Sequence, residues 1–381
     1  MTRTGTAKLA LVLFAAAAIG PAQRAVAQSS RWQSRTEAGT SAPAATRGDV
    51  PCMACEQPRF WIVSSRRCPQ RAKGHSTACC RLDEFVYQNG RCHPADAAAF
   101  GKWLIPGAPI AVVVHGSFTR FPALLGETCA MYRWLRRSAP QRPLNVVVFT
   151  WPSDDFATGF IPIDINVLGR WSGFNGFYLA RFLQRVPRGS RVTLIGHSHG
   201  ARTVLAFLHL QSGGVVQGRR LCNPQPGAWR IRTILMAAAV DHHWLNPGER
   251  FGRALCGTEA LLNMRNRRDL PLKFYPLRRP LSHRALGRRG LTRTDRQRLG
   301  HGNAKVAELD VTDMIGRRHF WVYYFNRREI SAAISPYVYF TDDDARGLPT
   351  ATPRSSQPRK SRWKPVRHSS SRNRRVAARR Q

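Results

Sequence analysis

Ser198 stands at the centre of Gly196-His197-Ser198-His199-Gly200. A β-prone run, Val192–Ile195, comes directly before this pentapeptide, and a helix-like run, Ala201–Leu210, comes directly after it. A serine at the tip of a tight strand-to-helix turn is lifted clear of the backbone. A base can then reach its hydroxyl and make it a nucleophile. Such a turn strains the backbone, and only residues without side chains let strand and helix approach that closely. Chance supplies G-x-S-x-G in roughly one chain in ten of this size, so the flanking strand and helix carry the inference.

A nucleophilic serine needs a base, an acid to orient the base, and donors for a developing oxyanion. In an open parallel sheet these groups lie just past the carboxyl ends of the strands. His115-Gly116-Ser117 follows the run Ile110–Val114, and Gly116 or Ser117 is expected to supply one oxyanion N–H. The N–H of His199 is expected to supply the other. Asp269, in the loop after Ala260–Met264, is the expected acid; Asp241, after Ile231–Val240, is the alternative. His319, in the loop after Val306–Leu309, is the expected base, with His301 as its rival and His283 read as a surface residue. His197, His199, His242 and His243 suggest zinc at first sight. The first two flank Ser198, however, where their side chains should diverge, so neither a metal nor a cofactor is expected.

Most of the elements that position these residues are short and apolar. Ile110–Val114 and Asn145–Phe149 are continuous runs rich in β-branched residues, as buried parallel strands require. Ala123–Arg137 and Phe174–Val186 read as helices between strands. Short strands joined by long crossovers imply an α/β fold with a doubly wound, mostly parallel sheet. Trp171–Tyr178 reads as the packed start of a helix rather than as a pocket lining. The stretch Arg278–Arg298 carries eight Arg against one acid, Asp295. It reads either as a basic cap over the crevice, favouring an acidic substrate, or as an exposed loop.

The strand-His115-Gly116 loop, the strand-Gly196-His197-Ser198-His199-Gly200-helix segment and the late Asp269 and His319 together resemble the α/β-hydrolase superfamily. The nearest subgroup is that of bacterial serine esterases or lipases with a segment like Phe149-Thr150-Trp151-Pro152. The resemblance covers about residues 105–340. It implies a Ser198-His319-Asp269 triad, an acyl-enzyme, and a small-molecule or lipid ester as substrate. Two alternatives are a non-catalytic basic envelope-binding protein on the same scaffold, and an amide, peptide or thioester hydrolase with the same triad.

Charge and cysteine content bound the setting. The net charge is +38, and the tail from Arg354 onward holds eleven Lys or Arg and no acid. This favours contact with anionic envelope polymers or lipid. No nucleic-acid reader motif is present, so specific nucleic-acid binding is not expected. Residues 1–27 read as a Sec-type signal peptide, with basic Arg3 and Lys8, apolar Leu9–Ile19 and the cleavage signature Ala25-Val26-Ala27. The mature chain is then exported to the periplasm or beyond and has no transmembrane span. Residues 28–50 read as a linker, 51–100 as a cysteine-rich disulfide module, 101–344 as the catalytic domain and 345–381 as a disordered basic tail. Six of nine cysteines fall in the module: Cys52, Cys55, Cys68, Cys79, Cys80 and Cys92. Disulfides are expected there rather than a Cys52-x-x-Cys55 zinc site. Cys222 and Cys256 are expected to pair, leaving Cys129 over.

Overall fold

Seven parallel strands carry the candidate site, and two antiparallel strands extend their sheet at one edge. The computed structural model describes residues 57–70, 80–154, 161–278 and 282–341, with Ile161 and Pro162 described by backbone alone. The expected signal peptide, linker and basic tail lie outside the described residues, as do Cys52, Cys55 and Cys79.

The strands are β1 (Phe60–Ser64), β2 (Asp83–Gln88), β3 (Arg91–Pro94), β4 (Ile110–Val114), β5 (Asn145–Thr150), β6 (Arg191–His197), β7 (Arg230–Met236), β8 (Ala260–Arg265) and β9 (Val306–Asp310). Their order across the sheet is β3-β2-β1-β5-β4-β6-β7-β8-β9. From β4 the chain moves to one side to make β5, then crosses to the other side of β4 to make β6. The carboxyl ends of β4 and β6 therefore flank the switch point, where an open α/β sheet leaves a crevice. Pairing Val114 with Gly196 and His197 with Met236 sets the strand ends level.

Every residue of β4 and β5 is buried, which explains why both strands read as unbroken apolar runs. Helices cover both faces. On one lie α1 (Phe121–Ser138) and the later α5 (Arg328–Tyr339). Leu124, Met131, Trp134 and Leu135 of α1 pack with Ile330, Ile334 and Val338 of α5 against Ala111, Val113 and Val148. On the other lie α2 (Ile161–Leu183) and α3 (Gly200–Gln211), packed against Val112, Val114, Val147 and Phe149. All residues of α3 are buried, so it has no polar face for a periodicity reading to find. Phe174, Phe177 and Tyr178 lie buried within α2, as expected for a packed helix.

Three sequence expectations are corrected. The segment assigned to a separate cysteine-rich module instead supplies β1, β2 and β3 to the main sheet, with β1 running parallel to β5. Its apolar strand Phe60–Ser64 is wholly buried and has no core of its own to enter. Cys68 and Cys80 form a disulfide, whereas Cys92, Cys129, Cys222 and Cys256 are free thiols, so the expected pairing of Cys222 with Cys256 does not occur. The Arg278–Arg298 stretch, described at Arg278 and over Ser282–Arg298, is not the exposed loop that was the second reading of it. It holds the short helix Leu286–Arg289 and α4 (Arg293–Leu299), and buries Leu286, Leu291, Asp295 and Leu299. Its backbone is bonded to the loop after β7 through Leu286 N–H to Val240 O (2.7 Å) and Gly287 N–H to Ala238 O (3.0 Å).

Candidate active site

The turn after β6 is tight because two glycines allow it. A Cβ on Gly196 would lie 2.7 Å from Ala201 Cα, and one on Gly200 would lie 2.2 Å from Val114 O. Between them Ser198 adopts a left-handed backbone, with φ of 50°. A non-glycine residue in that region costs about 1 to 3 kcal/mol and persists only where the surroundings enforce it. Here the enforcement is visible. Ser198 N–H donates to Met236 O at 2.9 Å, and Ser198 O accepts from Ala239 N–H at 3.1 Å. The end of β7 and the loop after it thus hold the elbow through both backbone groups of Ser198.

His319 and Asp269 come from the loops after β9 and β8. His319 Nε2 lies 3.0 Å from Ser198 Oγ, and His319 Nδ1 lies 2.8 Å from Asp269 Oδ2. A carboxylate can only accept, so Nδ1 carries the proton and Nε2 is left to accept from the Ser198 hydroxyl. Asp269 is fully buried, and its second oxygen accepts from Leu272 N–H at 2.8 Å, capping the short helix Leu270–Lys273. The His319 loop is anchored by Asn266, whose amide donates to Gly316 O (2.8 Å) and Arg318 O (3.2 Å), and by His197 Nε2, which donates to His319 O at 3.0 Å. His197 and Asn266 are positioning residues that the sequence reading did not assign. Their value depends on which loop they reach, and no sequence spacing records it.

The other expected residues divide cleanly. Gly116 packs directly on the turn: a Cβ there would lie 2.9 Å from Ser198 Cβ. Ser117 Oγ and His199 Nδ1 are hydrogen-bonded at 2.6 Å, and the His199 backbone caps the start of α3. The residues named as oxyanion donors are therefore gathered around Ser198. Asp241 is differently engaged. It is fully buried, accepts from Tyr275 OH at 2.8 Å, and forms an ion pair with buried Arg278. His301 is exposed in the turn Gly300–Lys305. His283 is exposed too, as expected of it.

Electrostatically, the imidazoles of His115, His197 and His199 around Ser198 are neutral. Burial pushes His115 and His197 down to about 3 and holds His199 well below the ordinary histidine value. His115 Nδ1 donates to Gly116 O at 2.8 Å, so its Nε2 accepts from Thr150 Oγ1 at 2.8 Å. His197 and His199 point to different partners, His319 O and Ser117 Oγ, so their side chains diverge as expected. His319 retains 11% side-chain exposure and Ser198 9% exposure, so solvent reaches the pair. A cleft lined by Leu104, Ile110, Asn145 and Arg191 lies at the amino ends of β4, β5 and β6, the opposite end of the sheet from Ser198.

What this arrangement can do is move one proton from a serine hydroxyl to a fixed imidazole beside a buried carboxylate. No protein-family model and no curated protein matches this chain.

Proposed function

We propose that this protein is a serine hydrolase of the α/β-hydrolase superfamily, acting on carboxylic esters through Ser198, His319 and Asp269. The observation that carries the reading is the continuous Asp269–His319–Ser198 hydrogen-bond chain ending on a strained turn. As Ser198 Oγ attacks an acyl carbon, His319 Nε2 takes its proton. Asp269 holds the imidazole tautomer and stabilises the cation that forms. His319 then returns the proton to the leaving alcohol. Water, deprotonated by the same imidazole, releases the acyl group from Ser198. The N–H groups of His199 and of Gly116 or Ser117 face the developing oxyanion. Neutral His115, His197 and His199 add no competing positive charge to the site.

The same reading makes the chain an exported protein whose basic tail contacts anionic envelope polymers or lipid. The Cys68–Cys80 disulfide supports an oxidising compartment. No helix among the described residues is long and apolar enough to cross a membrane.

The test is labelling of purified protein with a fluorophosphonate probe, alongside turnover of short p-nitrophenyl esters. Wild type should label at Ser198 and hydrolyse the esters, and Ser198→Ala should lose both. A folded wild-type protein that does not label, or a Ser198→Ala variant with full turnover, defeats the reading.

A further inference from the structure

Three histidines outside the Ser198 chain meet at one point. His242 and His243 sit in the turn after β7, and His283 approaches from the first part of the arginine-rich stretch. One ring nitrogen from each lies within 4.8 Å of the others. The ring centroids are 5.5 Å apart for His242 and His243, 5.5 Å for His242 and His283, and 4.2 Å for His243 and His283. We propose that His242, His243 and His283 bind one divalent transition-metal ion of the zinc class, at a site separate from Ser198.

The hydrogen bonds around the cluster support ligation. A ligating histidine generally gives its second nitrogen to a carboxylate or carbonyl, which fixes the ring and raises its basicity. His242 Nδ1 lies 2.7 Å from Asp295 Oδ2, so Nε2 is the nitrogen it has to offer. His243 Nε2 lies 3.6 Å from Glu249 Oε2, while its Nδ1 is buried and has no hydrogen-bond partner. His242 thus has a carboxylate bonded to one nitrogen, and His243 has a buried nitrogen with no hydrogen-bond partner. Asp295 is itself fixed by Thr292 N–H (2.8 Å), Thr292 Oγ1 (2.6 Å) and Asn246 Nδ2 (2.8 Å).

The scaffold holds the two segments together without help from an ion. His242 N–H donates to Arg284 O at 3.1 Å, and Asp241 and Ala285 form an antiparallel bridge. The ligands are therefore pre-positioned, and little ordering is needed on binding. Imidazole suits zinc and its neighbours, whereas calcium and magnesium demand oxygen ligands. Three nitrogens leave the fourth tetrahedral position to water, and His283 is exposed, so the site opens to solvent. The ion would brace the turn that follows Ala239, whose N–H holds the Ser198 carbonyl at 3.1 Å.

The test uses the full, untagged chain, stripped with a chelator and titrated with Zn²⁺ against a chromogenic indicator. One Zn²⁺ per chain is expected, with a rise in melting temperature that excess chelator reverses. His283→Ala, on the exposed ligand, should weaken binding by more than tenfold while circular dichroism stays unchanged. His301→Ala, at an exposed histidine elsewhere, and Ser198→Ala should bind as wild type does, so a failure of the ester reading leaves this site standing. Binding well below one equivalent overturns the proposal. So does a His283→Ala variant with wild-type affinity, or an equal loss in His301→Ala.

Discussion

Asp269 holds His319 through one carboxylate oxygen and caps the following helix through the other, each at 2.8 Å. The acid is thus fixed by the fold rather than by the imidazole, and the imidazole is fixed by the acid. Asp241 is buried just as deeply, yet it is committed to Arg278 and Tyr275. The two aspartates should therefore fail in different ways. On the proposed reading, Asp269→Asn should lower kcat on a p-nitrophenyl ester by roughly 10⁴-fold, through loss of the reactive tautomer, as it does in Ser-His-Asp triads. Asp241→Asn leaves a buried guanidinium without its counter-charge and should cost about 3 to 5 kcal/mol of stability. Urea unfolding and steady-state kinetics on both variants check this. A larger rate loss in a folded Asp241→Asn would reverse the assignment.

The turn glycines make a steric prediction. A methyl at residue 200 would sit 2.2 Å from Val114 O, a backbone atom that cannot swing away. Gly200→Ala should destabilise the protein by about 3 kcal/mol or fail to fold, the upper end of the overpacking cost. Gly101, in the short helix Phe100–Trp103, meets nothing within 4 Å. Gly101→Ala should change stability by no more than about 1 kcal/mol, towards greater stability. Thermal denaturation of the pair makes the comparison, and equal effects would count against the close approach.

Acid should loosen the core through His115 and His197. Burial holds both near 3 in the folded chain, against 6.5 for an ordinary histidine. Between those values the unfolded chain binds protons that the folded chain excludes. Stability conferred by the neutral rings is therefore fully present above about pH 6.5 and falls as pH drops, by about 1.4 kcal/mol per pH unit for each ring. Melting temperatures from about pH 7 down to about pH 4.5 measure this slope. His115→Gln combined with His197→Gln should make it shallower, with His199 still contributing, and an unchanged slope would place the acid sensitivity elsewhere.

The disulfide should matter to the edge of the sheet. Cys68 and Cys80 are separated by 12 residues, and the bond ties the segment after β1 to the start of β2. Closing a loop of that size contributes about 3 kcal/mol. Cys68→Ser, or reduction under native conditions, should lower the urea midpoint by the corresponding amount. A midpoint indifferent to reductant would mean the loop is held by packing alone.

Much of the sheet was legible because its physics is local. Ile110–Val114 and Asn145–Phe149 are mostly apolar runs whose burial follows from their composition, and both lie in strands. The hairpin of β2 and β3 was missed because its strands are polar and half-exposed. Its one clear signal is the turn Asn89-Gly90, where both residues have positive φ. Helix α5 was missed as well, although Ile330, Ile334 and Val338 recur at helical spacing.

The site divides along the same line. The sequence by itself determined that a serine stands between two glycines on a strand-to-helix turn, because that motif is contiguous and its strain is set by neighbours. It also narrowed the acid to two aspartates and the base to two histidines by their places after strands. Only the tertiary structure shows which of them lie beside Ser198. Which loop reaches Ser198 depends on strand order across the sheet and on bonds such as His197 to His319 O, made between residues more than a hundred positions apart. The same holds for His283, whose meeting with His242 and His243 exists only because the Arg278–Arg298 stretch folds back onto the loop after β7.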